Sequence, residues 1–521
     1  MPRRPWFSFL ATLTGAVLAS AAITDPVRVD TGLLAGSAGK DQDVRVYKGI
    51  PFAAPPVGDL RWRVPQPPAK WDGVRKAEQF GSSCTQGGGG GRGGEKAKGG
   101  AVLGNEDCLY LNVWTAAQSA SERRPVMVWI HPGGYTSGSG SSPGTDGEAL
   151  AKKGVVLVTI NYRLGVFGFF SHPELTKESD RRASGNFAFM DQVAALQWIQ
   201  KNIGAFGGDP RRVTVFGDSA GSSSISNLMA SPLAKGLFQR ASGQSGAWLG
   251  LSITPMRKLA DAEQAGLKMA ESLGAKSLAD LRNKPAEEVL RGGRGGGPVI
   301  DSYFLPDDPA NLFAQGKQND VPLIVGSNKD EGTFFLQTVT AEQWIQRSRQ
   351  KFGEMADQFL KLYPAGSDAE ANTSQYAAFR DELAFVMRNW AAVQVKSGKS
   401  KAYLYFFTHE PPVAGGRAPA PTVTLAREGA THGGEAPYIF QNLLGNRPWN
   451  DADHQVTETT SSYWVNFATT GDPNGKNLPK WPAFDEKKNG GRMILGDAAE
   501  YGPGLTQAQV DFYQAWYEKR R

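Results

Sequence analysis

Val213-Thr-Val-Phe-Gly217-Asp-Ser219-Ala-Gly221 is the stretch that decides the fold of this chain. Its β-branched and aromatic start, Val213 to Phe216, predicts a buried strand. The strand runs into Gly-Asp-Ser-Ala-Gly, which fits the G-x-S-x-G pattern of a nucleophile elbow, and the small residues after it predict a helix. The pentapeptide alone occurs by chance in Gly-rich chains. Between a predicted strand and a predicted helix, it points to Ser219 as an acyl-accepting nucleophile.

Other strand-like runs lie at α/β spacing around this elbow. They are Val126 to Ile130, Val155 to Ile160, Leu323 to Val325 and Tyr403 to Phe407. Between the second of these runs and the elbow, an amphipathic helix is predicted over Asn186 to Ile203. Strands that alternate with helices predict an α/β fold with a mostly parallel central sheet flanked by helices. The helix-rich residues 255–290 and 341–396 are expected to form cap excursions over the cleft.

Size and charge limit the possible organisation. The chain has 521 residues, of which 40% are hydrophobic, enough for a large core. Length alone would allow two to four domains, but no repeat or long linker separates independent units, so residues 22–521 are predicted to form one domain. The formal net charge of +6 is mild for this size. No dense basic run interleaved with aromatic residues indicates nucleic-acid binding, and nothing indicates an oligomeric state.

Residues 1–21 have the layout of a cleavable signal peptide. Arg3 and Arg4 form a basic start, Trp6 to Leu18 is an apolar run, and Ala19-Ser-Ala21 has the spacing of a cleavage site. The apolar run is too short to span a bilayer, and no later segment is apolar enough to do so. We therefore predict a secreted or periplasmic protein without a membrane span. The alternative is an uncleaved anchor.

Cys84 and Cys108 are the two cysteines of the chain. In an exported protein an even count indicates a disulfide, and one closing this loop would be worth roughly 3 kcal/mol. The alternative is two free buried thiols. The loop includes a Gly-rich run, residues 87–100, which lacks the spacing and the terminal Lys-Ser/Thr of a P-loop. We expect this run to be a surface insertion rather than a ligand cradle.

A serine nucleophile needs a base, an acid that orients the base, and an oxyanion hole. In hydrolases with this elbow, the acid and then the histidine follow the serine along the chain. Three of the five histidines do so: His409, His432 and His454. Residue type alone does not choose among them. No cluster has metal-ligand spacing, so we expect neither a metal nor a cofactor.

Several further segments resemble blocks of the type-B carboxylesterase family, which includes cholinesterases, animal carboxylesterases and bacterial para-nitrobenzyl esterases. Besides the elbow, they are Glu106-Asp-Cys108-Leu-Tyr-Leu-Asn112, Asn161-Tyr-Arg-Leu-Gly-Val-Phe-Gly-Phe169, Phe206-Gly-Gly-Asp-Pro210 and Trp464-Val-Asn-Phe-Ala-Thr-Thr-Gly-Asp-Pro473. They occur in the family's order, and the resemblance extends from about residue 25 to residue 516. It implies an α/β-hydrolase fold, hydrolysis of small-molecule carboxylic esters, and a disulfide-bonded cysteine in the first of these blocks.

The resemblance also implies the acid and the base. The family's acid lies in an Asp-Glu-Gly after a strand, which indicates Glu331, with Asp330 as the rival. The family's base lies in a His-Gly segment before an apolar run, which indicates His432 in Thr431-His-Gly-Gly-Glu-Ala-Pro-Tyr-Ile-Phe440. With Ser219, these residues would form a Ser-His-Glu triad that works through an acyl-enzyme.

The implied oxyanion hole combines Ala220, directly after the nucleophile, with the loop His131-Pro-Gly-Gly-Tyr135. The family usually has three glycines in this loop, and this chain has Pro132 in place of the first. Proline has no N–H group. The implied donors are the second and third positions, Gly133 and Gly134, so the departure is expected to stiffen the loop without removing a donor.

Three other residues are interpreted as structural: Ser245 in its Gln-Ser-Gly segment, His131, which would orient the oxyanion loop, and Asp209, which would pack a turn. The cysteine loop contains no aromatic residue, so choline esters, which bind on an aromatic face, are not the expected substrates. The mostly glycine stretch Arg291 to Gly297, which would reach the acyl pocket, favours an open pocket for bulky acids.

Two other function classes remain at this point. The first is a lipase or thioesterase with the same triad, which activation by emulsified triglyceride would reveal. The second is a non-catalytic cholinesterase-like adhesion module. Such modules lose triad residues and usually carry a membrane anchor, and this sequence shows neither feature.

Overall fold

A computed structural model of the protein shows how its strands assemble into sheets. The structure describes residues 23, 25–87, 102–247, 256–293, 295–413, 429–445, 447–488 and 490–520. The predicted signal peptide and most of the Gly-rich run, residues 88–100, lie outside these ranges. The strands are β1 Val27–Val29, β2 Gly32–Ala35, β3 Ser37–Ala38, β4 Arg45–Pro51, β5 Val74–Lys76, β6 Gln86–Gly87, β7 Val102–Leu103, β8 Tyr110–Thr115, β9 Arg124–Ile130, β10 Val156–Ile160, β11 Gly208–Asp218, β12 Arg240–Gln244, β13 Arg257–Lys258, β14 Val299–Ile300, β15 Leu323–Asn328, β16 Ala402–Phe407, β17 Arg492–Leu495 and β18 Ala499–Gly502.

The α-helices connect these strands and build the excursions. They are α1 Glu148–Lys152, α2 Gly165–Gly168, α3 Pro173–Glu178, α4 Phe187–Asn202, α5 Ala220–Ala230, α6 Leu259–Ser272, α7 Leu278–Asn283, α8 Ala286–Gly292, α9 Pro309–Ala314, α10 Ala341–Phe352, α11 Ala356–Leu362, α12 Asp368–Ser397, α13 Ala436–Ile439, α14 Asp451–Thr470 and α15 Gln507–Arg520. None of the described helices is both long and apolar enough to cross a membrane.

Eleven strands form one sheet in the order β18-β17-β16-β15-β12-β11-β9-β10-β8-β4-β3. The neighbours from β17 through β10 pair in parallel. Antiparallel strands complete both edges. The predicted mostly parallel sheet is therefore confirmed. Every residue of β10 and of β15 is buried, as expected for strands covered on both faces.

Alternation along β9 shows how the sheet divides the core. Val126, Val128 and Ile130 contribute to one hydrophobic cluster, which α4, α5 and α12 cover. Met127 and Trp129 contribute to the cluster on the other face, which α13 and α14 cover. Because side chains alternate across a strand, one short run of apolar residues supplies both layers of the core.

The described part of the chain matches most of the predicted elements. The predicted helix over Asn186 to Ile203 is α4, and the two helix-rich stretches contain α6 to α8 and α10 to α12. Cys84 and Cys108 form the predicted disulfide.

Candidate active site

Ser219 lies on the turn between β11 and α5, with φ +56° and ψ −116°. A positive φ strains a residue that has a side chain by about 1–3 kcal/mol, so the surroundings must hold it. The Ser219 N–H donates to the carbonyl of Gln244 at 2.7 Å. A Cβ on Gly217 would lie 2.6 Å from the carbonyl oxygen of Ile130, and one on Gly221 only 2.0 Å from it. The elbow therefore needs glycine on both sides of the serine.

The Gly221→Ala substitution is expected to destabilise the protein by about 3 kcal/mol, because its methyl group would overlap a backbone oxygen of the central sheet. Thermal unfolding checks this. Gly204→Ala is the matched control, since a Cβ there meets no atom within 4 Å. Equal melting temperatures for the two variants would contradict the packing of the elbow.

The loop after β9 presents unpaired N–H groups. Gly133 has φ +121° and Gly134 has φ +61°. A Cβ on Gly133 would lie 2.0 Å from the carbonyl oxygen of Ser137, so this position requires glycine. Among the described residues, the N–H groups of Gly133, Gly134 and Ala220 have no acceptor. Ala220 is the first residue of α5, where helical N–H groups lack an intrahelical partner. All three donors are thus available to a bound oxyanion.

His131 braces this loop. Its ring stacks on Tyr162 with centroids 4.2 Å apart, and the Tyr162 hydroxyl donates to the His131 carbonyl at 2.7 Å. The His131 Nδ1 lies 2.8 Å from the carbonyl oxygen of Pro132. Burial lowers the pKa of His131 to about 4, so the ring is neutral and Nδ1 carries the donated hydrogen. These contacts agree with the predicted orienting role of His131.

Glu331 follows β15 and is fully buried. Its Oε2 lies 2.5 Å from Nδ1 of His432. Its Oε1 accepts hydrogen bonds from the Asn328 N–H at 2.8 Å and from the Ser245 hydroxyl at 2.5 Å. Ser245, which the sequence suggested was only structural, therefore fixes the carboxylate that contacts the histidine.

The rival acid, Asp330, has a different position. Its Oδ2 accepts a hydrogen bond from the Ala430 N–H at 2.8 Å, and its backbone pairs with Thr431. Asp330 thus holds the loop that leads to His432 rather than the imidazole itself.

The other two late histidines lie elsewhere. His409 is buried, with Nε2 2.7 Å from Asp453 and Nδ1 2.6 Å from Asp497. His454 is exposed on α14. Of the three candidates, only His432 contacts Glu331 among the described residues.

Acidic groups surround His432, whose side chain is 14% exposed. Burial alone would lower the pKa of His432, but the charges of Glu331 and Asp218 outweigh it and raise this pKa to about 9. Burial and the Asp218 charge also raise the pKa of Glu435 to about 8. Glu435 is anchored by the Asn328 amide at 2.5 Å and by the Tyr405 hydroxyl at 3.0 Å. Burial and the neighbouring Asp218 charge thus disfavour ionisation of Glu435.

The raised pKa of His432 predicts alkaline activity. Only the neutral imidazole can take a proton from a serine, so the rate is expected to rise with pH until His432 is deprotonated. The midpoint is expected near pH 9, the pKa of His432, rather than near the ordinary imidazole value of about 6.5. Measuring kcat/KM of a neutral ester from about pH 6 to about pH 10, corrected for spontaneous hydrolysis, checks this. A plateau already reached at neutral pH would contradict it.

The glycine loop, Ser219 and Glu331 follow the carboxyl ends of parallel strands of the central sheet. The loop after β9 carries the free glycine N–H groups, the turn after β11 carries Ser219, and β15 precedes Glu331. In open α/β sheets this edge is where ligands bind. A serine, a carboxylate–imidazole pair and three free N–H donors at one edge are the groups that acyl transfer requires. No group of acidic, histidine and cysteine side chains in the described ranges could hold a metal ion.

Comparison with known proteins agrees with this chemistry. The carboxylesterase family matches residues 24–513. The chain belongs to the carboxylesterase family. This carboxylesterase is 37% identical over 512 residues to the fumonisin B1 esterase of Sphingopyxis macrogoltabida, which covers 94% of the chain and 90% of that relative. It is 35% identical over 536 residues to the cocaine esterase of Homo sapiens, with 94% and 91% covered.

Solved structures show the same fold. A PNB esterase superposes with a TM-score of 0.76 at 32% identity, covering 94% of this chain and 99% of the other. A carboxylesterase of Geobacillus stearothermophilus gives the same TM-score, identity and coverage. The predicted α/β-hydrolase fold is confirmed, and carboxylic ester hydrolysis is the activity of this protein.

Proposed function

We propose that Ser219, His432 and Glu331 are the nucleophile, base and acid of a triad that cleaves carboxylic esters to an acid and an alcohol. The 2.5 Å contact between Glu331 Oε2 and His432 Nδ1 carries the proposal. It keeps the hydrogen of the neutral imidazole on Nδ1. His432 Nε2 has no hydrogen-bond partner among the described residues, so it is free to accept the proton of Ser219.

The hydrogen bonds across the sheet support this grouping. Ser219 bonds through its N–H to Gln244, the last residue of β12. The next residue, Ser245, bonds through its hydroxyl to Glu331. β12 thus links the elbow on one side to the carboxylate–imidazole pair on the other, within the width of three neighbouring strands.

The reaction follows from these positions. His432 Nε2 takes the hydroxyl proton as the Ser219 Oγ attacks the ester carbonyl, and Glu331 stabilises the resulting imidazolium. The N–H groups of Gly133, Gly134 and Ala220 hold the oxyanion, and loss of one such donor raises the barrier by about 3 kcal/mol. His432 then protonates the departing alkoxide, which leaves an acyl-serine. Water, deprotonated by His432, attacks this intermediate and releases the acid.

Hydrolysis of a dissolved ester by the purified protein tests the proposed activity against the lipase and thioesterase alternatives. We expect saturable hydrolysis of phenyl acetate below its solubility limit, without a jump in rate when an emulsion forms. Activity that begins only with emulsified triglyceride would assign a lipase. A thioester turned over far faster than its matched oxygen ester would assign a thioesterase.

We further propose that the protein is exported and processed after residue 21. The disulfide between Cys84 and Cys108 supports export, because disulfides persist in oxidising compartments. Sequencing the N-terminus of protein recovered from outside the cytoplasm tests this. A chain that still begins at Met1 would contradict the proposed processing.

A further inference from the structure

Arg492, the first residue of β17, is a half-buried arginine far from the groups described above in sequence. Its side chain makes no hydrogen bond and no ion pair among the described residues, and its Nε is buried. Burial lowers the pKa of Arg492 to about 10, so the guanidinium is still charged at neutral pH. Buried cations are ordinarily paired with a carboxylate, because an uncompensated buried charge is strongly destabilising. The missing counter-charge therefore requires an explanation.

The carboxylates around this arginine already have other partners. The charge of Asp381 acts on Arg492, but Asp381 accepts two hydrogen bonds from Arg380, at 2.7 Å and 3.2 Å. Two further side chains also donate to Asp381. Glu486 lies 3.2 Å from Arg388, and the Glu486 side chain is 61% exposed to solvent. Neither carboxylate is therefore available to pair with Arg492.

The ring of Phe406 supports one face of the Arg492 guanidinium. The central carbon of the guanidinium lies 3.7 Å from the centroid of this ring. Such a contact attracts the cation, but the N–H groups lie in the plane of the guanidinium and need acceptors at its edge. The ring thus leaves the hydrogen-bonding edge of Arg492 without a partner among the described residues.

A small cavity adjoins Arg492. Arg388 of α12 and Ser327 of β15 also line it, and the Ser327 hydroxyl has no hydrogen-bond partner in the described part of the chain. None of the described residues that line the cavity is acidic. The centre of a water-sized sphere can move through about 10 Å³ of it, which is room for one water or one small ion. Water would fill this space without supplying the missing negative charge.

We propose that this cavity binds a small monovalent inorganic anion of the size of chloride, held by Arg388, Arg492 and Ser327. Charged N–H donors and a free hydroxyl are the groups that bind anions in proteins. Because the three residues come from α12, β17 and β15, a bound anion would link three elements of the fold. Its main effect is therefore expected on stability, and the inference does not depend on the proposed triad.

Thermal unfolding in sodium chloride, compared with sodium gluconate at the same ionic strength, tests the inference. Gluconate is too large for the cavity, so it controls for general screening by salt. The melting temperature is expected to rise by about 2 °C once chloride is about 100-fold above its Kd, and then to level off. Bromide is expected to act like chloride, whereas acetate and sulfate are expected to act like gluconate.

The Arg492→Met variant removes the charge that needs the anion. Its melting temperature is expected to be the same in chloride and in gluconate. In gluconate it is expected to be at least as stable as the wild type, because no uncompensated charge is left. An arginine that served only in packing would instead cost the same stability in both salts.

Arg240→Met is the matched control. Arg240 is another half-buried arginine with a buried nitrogen that lacks a partner, but it donates to the carbonyl of Thr469 and does not line this cavity. This variant is expected to keep the wild-type response to chloride.

Crystals grown in sodium bromide locate the ion directly. An anomalous bromine peak is expected between Arg388 and Arg492 in the wild type and is expected to be absent from Arg492→Met. Bromide bound only elsewhere would overturn the inference. Equal wild-type melting temperatures in chloride and gluconate would do so as well, as would an undiminished chloride response in Arg492→Met.

Discussion

Replacing Ser219 with alanine is expected to lower kcat on an aryl ester by about 10⁶-fold without unfolding the protein. The substitution removes only the hydroxyl oxygen, and the hydrogen bond from the Ser219 N–H to Gln244 remains. The free N–H donors of Gly133, Gly134 and Ala220 also remain, so a residual rate above that of water is expected. Steady-state kinetics on phenyl acetate, with circular dichroism to confirm folding, measures the effect.

A double variant tests the same assignment more strictly, because substitutions of residues that act together do not have additive effects on kcat. Because the nucleophile and the base act as one unit, the double variant Ser219→Ala/His432→Ala is expected to be no slower than Ser219→Ala alone. Ser223→Ala, a serine one turn further along α5, is the control and is expected to keep nearly full activity. Retention of most turnover in Ser219→Ala would remove this serine from the mechanism.

The Glu331→Gln variant is expected to lose about 10⁴-fold in kcat. A glutamine can turn its amide N–H toward His432 Nδ1, and the imidazole hydrogen then moves to Nε2, where it blocks proton transfer from the serine. Loss of the Glu331 charge also removes the main influence that raises the pKa of His432 to about 9. The residual activity is therefore expected to reach its midpoint at lower pH than in the wild type.

Asp330→Asn is the matched control for the acid. It makes the same chemical change one residue earlier, where the side chain accepts a hydrogen bond from Ala430. An amide oxygen can still accept that bond, so the loss is expected to stay within about tenfold, the size of one neutral hydrogen bond. A larger loss of kcat in Asp330→Asn than in Glu331→Gln would show that Asp330, and not Glu331, is the acid of the triad.

The elbow was predictable from sequence because its chemistry is local. The strand, the serine and the two flanking glycines are consecutive, and the glycines meet a steric demand that the structure makes explicit at the carbonyl of Ile130. The central strands were equally predictable from the sequence, because strands that are buried on both faces, such as β10, are continuous apolar runs. The edge strands β17 and β18 are only four residues each, too short to produce a clear pattern.

The supporting residues were not predictable, because their partners are distant in the chain. Ser245 and Glu331 are 86 positions apart, and nothing local to either residue reveals that they share a hydrogen bond. Glu435 is three residues after His432, but its raised pKa depends on burial and on Asp218. The choice between Glu331 and Asp330 as the acid required a family resemblance. The two carboxylates are adjacent in the sequence, and only the folded backbone determines which of the two side chains points toward the histidine.

The central claim is that Ser219 is the residue that becomes acylated, and mapping a covalent fluorophosphonate label tests it most directly. After digestion with trypsin, the label is expected on the peptide of residues 213–235, one per chain, with fragmentation placing it on Ser219. It is expected to be absent from Ser219→Ala and slowed in Glu331→Gln. A label that persists in Ser219→Ala, or that maps to another serine such as Ser245, would contradict the account.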